Sequence, residues 1–227
     1  VEILSLIEQF QFNFLDDSRW QFIVSGLKNT IIITFFAVLL GIFLGFVIAI
    51  VRSTHDKTGK LKILNVICRV YLTVIRGTPT MVQLLIVYYV IFATVDPGKI
   101  VVAIIAFGMN SAAYVAEIVR SGIMSIDQGQ FEAGRSLGLN YTQTMTKIIL
   151  PQAVKNILPA LGNELIVLLK ETSISGYIGL MDLTRGGDII RSQTYSALFP
   201  LLAVAAIYLI IVCFLTYLDR KSTRLNS

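Results

Sequence analysis

Long apolar runs alternate with short polar stretches along this chain, and the runs have membrane-crossing length. Uncharged stretches cover residues 29–51, 77–95, 100–116 and 192–218, comparable with the roughly 20 residues a helix needs to cross a hydrocarbon core of about 30 Å. With their flanks they predict spans over residues 22–51, 64–93, 99–122, 152–172 and 197–218. The fourth is the least apolar. Asn156, Asn163 and Lys170 recur at intervals of seven, with Glu164 and Glu171 beside the last two. At about 100° per residue, seven steps return to within about 20° of the start, so these residues form one polar stripe.

Each span carries a mark of its own. Gly41 and Gly45 in the first form a GxxxG pair that lets a neighbouring helix approach. Arg76-Gly77-Thr78-Pro79 interrupts the second, because proline disfavours helix in the residue before it. The third turns small and polar in its second half: Gly108, Asn110, Ser111, Ala112, Ala113, Tyr114, Glu117 and Arg120. Such residues face protein or water. Glu117 and Arg120, three apart, suggest an ion pair, whereas Asn110 lies deeper with no obvious partner. In the fourth span Pro159 frees a carbonyl just before Glu164, and a mid-membrane carboxylate costs at least a few kcal/mol unless it meets donors, a cation or water.

The linking stretches set the expected topology. Residues 52–62 hold Arg52, Lys57, Lys60 and Lys62 against Asp56, a cytosolic loop by the positive-inside bias. Residues 173–193 contain four glycines and read as a mobile outer loop. Phe10, Phe12, Phe14 and Trp20 predict an N-terminal segment resting at the membrane interface, without the features of a signal peptide.

Residues 127–159 differ from everything around them. Asp127 with Gln130, and Asn140 with Gln143, have the spacing of a capping residue and its return partner. Gly138 falls where a short helix needs a left-handed residue to stop, and Pro151 suits the start of a third helix. The expectation is two short helices at an angle, forming a cytosolic handle that another protein grips.

Composition closes off other classes. Of 227 residues, 55% are hydrophobic and 15% charged, with mean hydropathy +0.75, which excludes an ordinary soluble domain. The net charge of +5 sits in loops beside apolar runs, so it reads as a topology signal and not as a nucleic-acid surface. Cys68 and Cys213 read as buried small hydrophobes, and His55 as a solvated histidine. With no phosphate loop, nucleophile elbow or zinc pattern, the chain is expected to bring no enzymatic chemistry, cofactor or metal of its own.

Glu132-Ala133, Gly138, Ile148, Leu150 and Pro151 match the EAA loop of permease subunits in ATP-binding-cassette importers, which this chain resembles. Gly134 stands where a third alanine is usual, and Arg135 follows within the loop. RGTP at 76–79, SAAYVAEIVRSGI at 111–123 and LGNELIVLLKETS at 161–173 resemble the polar-amino-acid branch, apart from Ala112 where glycine is common. The resemblance implies an all-α integral membrane protein of five transmembrane helices with a cytosolic coupling-helix loop, the type I importer permease fold. It divides the chain into an extracytoplasmic segment 1–21, a permease domain 22–218 with coupling loop 123–150, and a cytosolic tail 219–227. It also implies a bacterial cytoplasmic membrane, the N-terminus outside, and a second permease chain in a homo- or heterodimer. Two ATPase subunits carrying ATP and Mg, and an extracytoplasmic substrate-binding protein, complete the expected assembly.

Three functions compete on the residues alone. The chain is the permease subunit of an ATP-driven importer of polar, including cationic, amino acids; or an ion-coupled carrier using Glu164; or a structural membrane protein in which Glu164 pairs with a buried cation. The handle favours the first, since a motor elsewhere needs a rigid element to push on. Glu164 is then the expected site for a ligand cation, with Asn163 and Asn110 offering amides to a carboxylate, or alternatively bonding between helices. Glu132, Ala133, Arg135, Gly138, Ile148, Leu150 and Pro151 are the expected ATPase-coupling residues.

Overall fold

The computed structural model describes residues 6–226, apart from the side chains of 57, 58 and 222–226. Residues 1–5 of the expected N-terminal segment, Ser227 of the expected tail and the Lys57 charge lie outside the described residues. A short α1 (Leu6–Phe10) and two irregular turns lead into α2 (Trp20–Thr58). Then come α3 (Lys62–Gly77), α4 (Thr80–Ile86, prolonged by a π-helical turn at Val87–Ile91) and α5 (Lys99–Met124). The handle is α6 (Gln128–Ser136) and α7 (Tyr141–Thr144), joined by a π-helical turn at Met145–Ile149 to α8 (Leu150–Glu171). A 3-10 segment at Thr172–Ile178, α9 (Leu183–Thr194) and α10 (Leu198–Asn226) complete the chain; there is no strand among the described residues.

Helices α2, α5 and α10 are long and apolar enough to cross a membrane, and a fourth crossing follows if the bent pair α3–α4 counts as one. Helix α8, with 22 residues and about 33 Å long, has the length but not the apolar composition. Polarity is inverted relative to a soluble protein. Phe35, Phe43, Leu209, Ile210 and Phe214 are exposed, while Thr30, Asn110, Ser111 and Glu164 are buried. So much exposed apolar surface requires lipid around it.

The most extensive seam is α2 against α5. A Cβ on Gly41 would lie 2.8 Å from Ser111 Cβ, and one on Gly45 2.6 Å from Val115 Cγ1, so the GxxxG pair brings the backbones together as its spacing predicts. Between α3 and α4 the direction changes by 113°. Thr78 is extended ahead of Pro79, which has no N–H for the Ile75 carbonyl to accept. Gln83 Nε2 fills that gap, donating to Ile75 O at 2.7 Å and to Thr78 O at 3.0 Å. Thr78 Oγ1 donates to Val74 O at 2.8 Å, closing the second gap.

Several expectations are corrected. The basic loop over 52–62 is mostly helix: α2 runs for 39 residues until Gly59, at φ 67°, turns the chain. His55 is not solvated but half-buried, its Nδ1 3.0 Å from Asn65 Nδ2. The loop over 173–193 is packed instead of loose. Asp182 caps α9 by accepting from Arg185 N at 2.9 Å, and Thr30 Oγ1 accepts from Leu183 N at 3.1 Å. Its Gly186 and Gly187 serve close approach to Phe22 and Val204, not flexibility. The N-terminal segment is tied down as well, with Thr194 Oγ1 donating to Asn13 Oδ1 at 3.0 Å and Phe14 buried beside Ile23, Leu183 and Ile190. Helix α10 continues to Asn226, so the expected tail is helical over residues 219–226. Cys213 is exposed on α10 and Cys68 half-buried.

Candidate functional site

The handle forms with two changes from the sequence reading. Asn140 and Gln143 make the reciprocal capping box: Asn140 N donates to Gln143 Oε1 at 3.0 Å, and Gln143 N to Asn140 Oδ1 at 2.9 Å. Asp127 caps α6 alone, accepting from Gly129 N at 2.6 Å. Gln130 is drawn away by the tertiary fold and accepts instead from Gln152 Nε2 at 3.3 Å. Gly138 is left-handed at φ 74° in open space, which stops α6. Pro151 stands in the first turn of α8, as its position predicts, but no break precedes it. Leu150 N donates to Met145 O, five residues back, and this widened turn joins α7 to α8 around the missing proline N–H.

The expected coupling residues divide by exposure. Glu132, Ala133, Arg135, Gly138 and Pro151 are exposed, and Ile148 and Leu150 half-buried. Gly134, Thr144 and Ile149 are buried and seat α6 on the rod. Leu137, 75% exposed at the outer end of α6, was missed from the sequence, where a leucine beside a glycine stop reads as packing. A cleft of about 740 Å³ lies between α6 and the end of α2, lined by Ser53, Asp56, Arg120, Phe131, Glu132 and Tyr141.

The expected ligand residues are placed less uniformly. Glu164 is buried and accepts from Ser111 Oγ of α5 at 2.8 Å. Asn110, the neighbour of Ser111, turns to the other side and donates to Gln83 Oε1 at 2.9 Å, with Thr80 Oγ1 at 3.4 Å. One polar seam therefore runs from Glu164 across α5 to the Pro79 break, and Gln83, missed from the sequence, stands at its centre. Its position four residues after Pro79, among apolar neighbours, was the available signal. Asn163 points elsewhere, exposed with Asn156 and Lys170 along the stripe that the sevenfold spacing predicts.

Glu117 does pair with Arg120, at 3.9 Å, but its closest partner is Arg52, with Nη1 2.8 Å from Oε1. Arg76 Nη1 reaches the same oxygen at 3.8 Å. The carboxylate thus ties α2 and α3 to α5, a role hidden from the sequence because Arg52 is remote in the chain.

A polar seam inside a sheath of exposed apolar helices defines an integral membrane protein. The family model described as "Binding-protein-dependent transport system inner membrane component" matches residues 37–224. The putative glutamine transport system permease protein GlnP of Rickettsia typhi is 39% identical over 201 residues, 88% of this chain and 90% of that protein. The arginine transport system permease protein ArtQ of Bacillus subtilis is 39% identical over 205 residues, 89% of this chain and 91% of that one. Among solved structures, the crystal structure of an amino acid ABC transporter with histidines matches with TM-score 0.84 and 41% identity, covering 93% of this chain and 97% of that chain. The inward-facing MetNI methionine ABC transporter, with TM-score 0.77 and 21% identity over 92% of this chain and 97% of that one, shares the fold. The chain belongs to the family of inner-membrane components of binding-protein-dependent transport systems, as a permease subunit of an ATP-binding-cassette importer.

Proposed function

We propose that this subunit imports polar amino acids, cationic ones included, and that force from a separate cytosolic ATPase enters through α6. The observation that carries the reading is continuity. The exposed face of α6 is seated by Gly134 on a rod that runs without interruption from Tyr141 to Glu171, and that rod holds Glu164. A push on α6 therefore tilts α8, and the Ser111–Glu164 bond is where α8 slides on α5.

In this mechanism the handle faces the cytosol and the N-terminus lies outside, five crossings being made by α2, α3–α4, α5, α8 and α10. A second permease chain closes the path, two ATPase subunits bind ATP and Mg, and an extracytoplasmic protein delivers the ligand. Glu164 meets the ligand cation once α8 tilts away from Ser111. Asn163 supplies an amide from the exposed stripe, while Asn110 holds the α4 elbow behind the acid. The relatives named for glutamine and arginine transport support an amino-acid cargo.

The test is uptake of radiolabelled amino acids into proteoliposomes holding the permease pair, its ATPase and its binding protein. Uptake is expected to require ATP and to be competed best by one polar amino acid. Glu164→Gln retains an acceptor for Ser111, so it should leave assembly and ATPase stimulation intact while weakening uptake of cationic substrates about tenfold or more. Undiminished uptake removes the ligand role from Glu164. Transport by the permease alone, with no ATPase, favours the ion-coupled reading.

A further inference from the structure

Beside Glu117 the charges do not balance. A cavity of about 370 Å³ opens between α2, α3 and α5, lined by Arg52, Arg69, Thr73, Arg76 and Glu117. Three guanidinium groups face one carboxylate, and that carboxylate is committed to Arg52 at 2.8 Å, with Arg76 and Arg120 at 3.8 and 3.9 Å. Arg69 has no ion-pair partner among the described residues, and Arg52 Nε is buried with no hydrogen-bond partner. Uncompensated cations next to low-dielectric surroundings are costly and attract an anion. Arginine is the residue suited to phosphate, which its fork binds through two parallel hydrogen bonds.

The other face of α3 carries Ile63, Val66, Ile67, Val70 and Val74, each more than half exposed. At 3.6 residues per turn these make one apolar strip along the helix whose polar side lines the cavity. A ligand with a phosphate head and hydrocarbon chains fits both sides of α3 together. We infer that the Arg52–Arg69–Arg76 cavity is a binding site for the phosphate headgroup of an anionic phospholipid, whose acyl chains lie along the outer face of α3. Glu117 orients Arg52 and Arg76 and limits the site to ligands acidic enough to outweigh its own charge.

The assembled transporter, equilibrated in bilayers of phosphatidylcholine with phosphatidylglycerol, is released into mild detergent and its retained lipids are counted by native mass spectrometry. The wild type is expected to keep phosphatidylglycerol in preference to phosphatidylcholine. Arg69→Gln, which breaks no ion pair, should lower that retention about threefold, and Arg69→Gln with Arg76→Gln about tenfold. Lys147→Gln, an exposed cation of the handle, should change nothing, and both single variants should melt with the wild type. Equal retention by the double variant, or equal loss with Lys147→Gln, overturns the proposal. Stabilisation by inorganic phosphate with no lipid preference, abolished in the double variant, overturns the lipid assignment in favour of a free oxyanion.

Discussion

Gly134 offers a test in which two opposing effects can be weighed. It lies inside α6, where alanine in place of glycine ordinarily stabilises by about 1 kcal/mol. Here the added Cβ would lie 2.6 Å from Thr144 Cγ2, 2.7 Å from Thr144 Oγ1 and 3.2 Å from Thr144 Cβ. Threonine is stiff about its first side-chain torsion and cannot swing clear, so relief requires α6 to lift off the rod. Overpacking of this kind costs about 1–3 kcal/mol, which outweighs the propensity gain. Gly134→Ala should therefore destabilise the handle by about 0–2 kcal/mol. Thr144→Ala removes both clashing atoms, together with a buried hydroxyl that has no hydrogen-bond partner among the described residues. In that background Gly134→Ala should become neutral or stabilising by up to about 1 kcal/mol. The assay is a double-mutant cycle on thermal unfolding of the detergent-solubilised transporter, with limited proteolysis across residues 123–150 as a local readout. A coupling energy of at least about 1 kcal/mol is expected. Strict additivity would falsify the claim that Gly134 is small because Thr144 is there.

Three further outcomes are expected. Glu117→Gln removes the partner of a mostly buried Arg52 and leaves three guanidinium groups facing one another, so the melting curve should report a loss of about 1–3 kcal/mol. Gly138→Val places a β-branched residue at φ 74°, at a cost of about 1–2 kcal/mol, and should reduce co-purification of the ATPase while leaving the membrane helices folded. Asp182 is fully buried, and burial pushes its carboxyl up to about 6 despite backbone N–H donors; its Oδ2 has no side-chain hydrogen-bond partner among the described residues. The folded state thus favours the protonated form, and this contribution to stability is full below about pH 4 and is lost as pH rises through 6. Asp182→Asn keeps the cap and should flatten that slope, whereas Asp182→Ala should also cost about 1 kcal/mol at every pH.

What could be read from the sequence was what neighbours along the chain decide. Apolar runs, the Pro79 break, the Asn140–Gln143 box and the left-handed Gly138 each depend on a few adjacent residues, and the structure has all of them. Failures came where a distant residue intervened. Gln130 has the spacing for a box with Asp127, yet Gln152 of α8 takes it; Arg52 has loop-like neighbours, yet Glu117 holds it inside a continuing helix. The glycines of 173–193 show a different limit. Glycine serves looseness and close packing equally well, and only the presence of Phe22 and Val204 decides which. At the candidate site the acid was legible because charge inside an apolar run is rare. Its orientation toward Ser111, and the use of Asn110 to hold Gln83, depend on helix rotation, which no local pattern records.

The Pro79 elbow has a consequence for how the molecule is assembled. The Val74 and Ile75 carbonyls opened at the break are closed by side chains from its own two arms, so these two groups need no water and no neighbour to be tolerable in the bilayer. Asn110 then has only to latch onto a finished part. Leucine in place of Gln83 would leave that corner to be rescued by whatever donor came first, and the order of construction would no longer be built in.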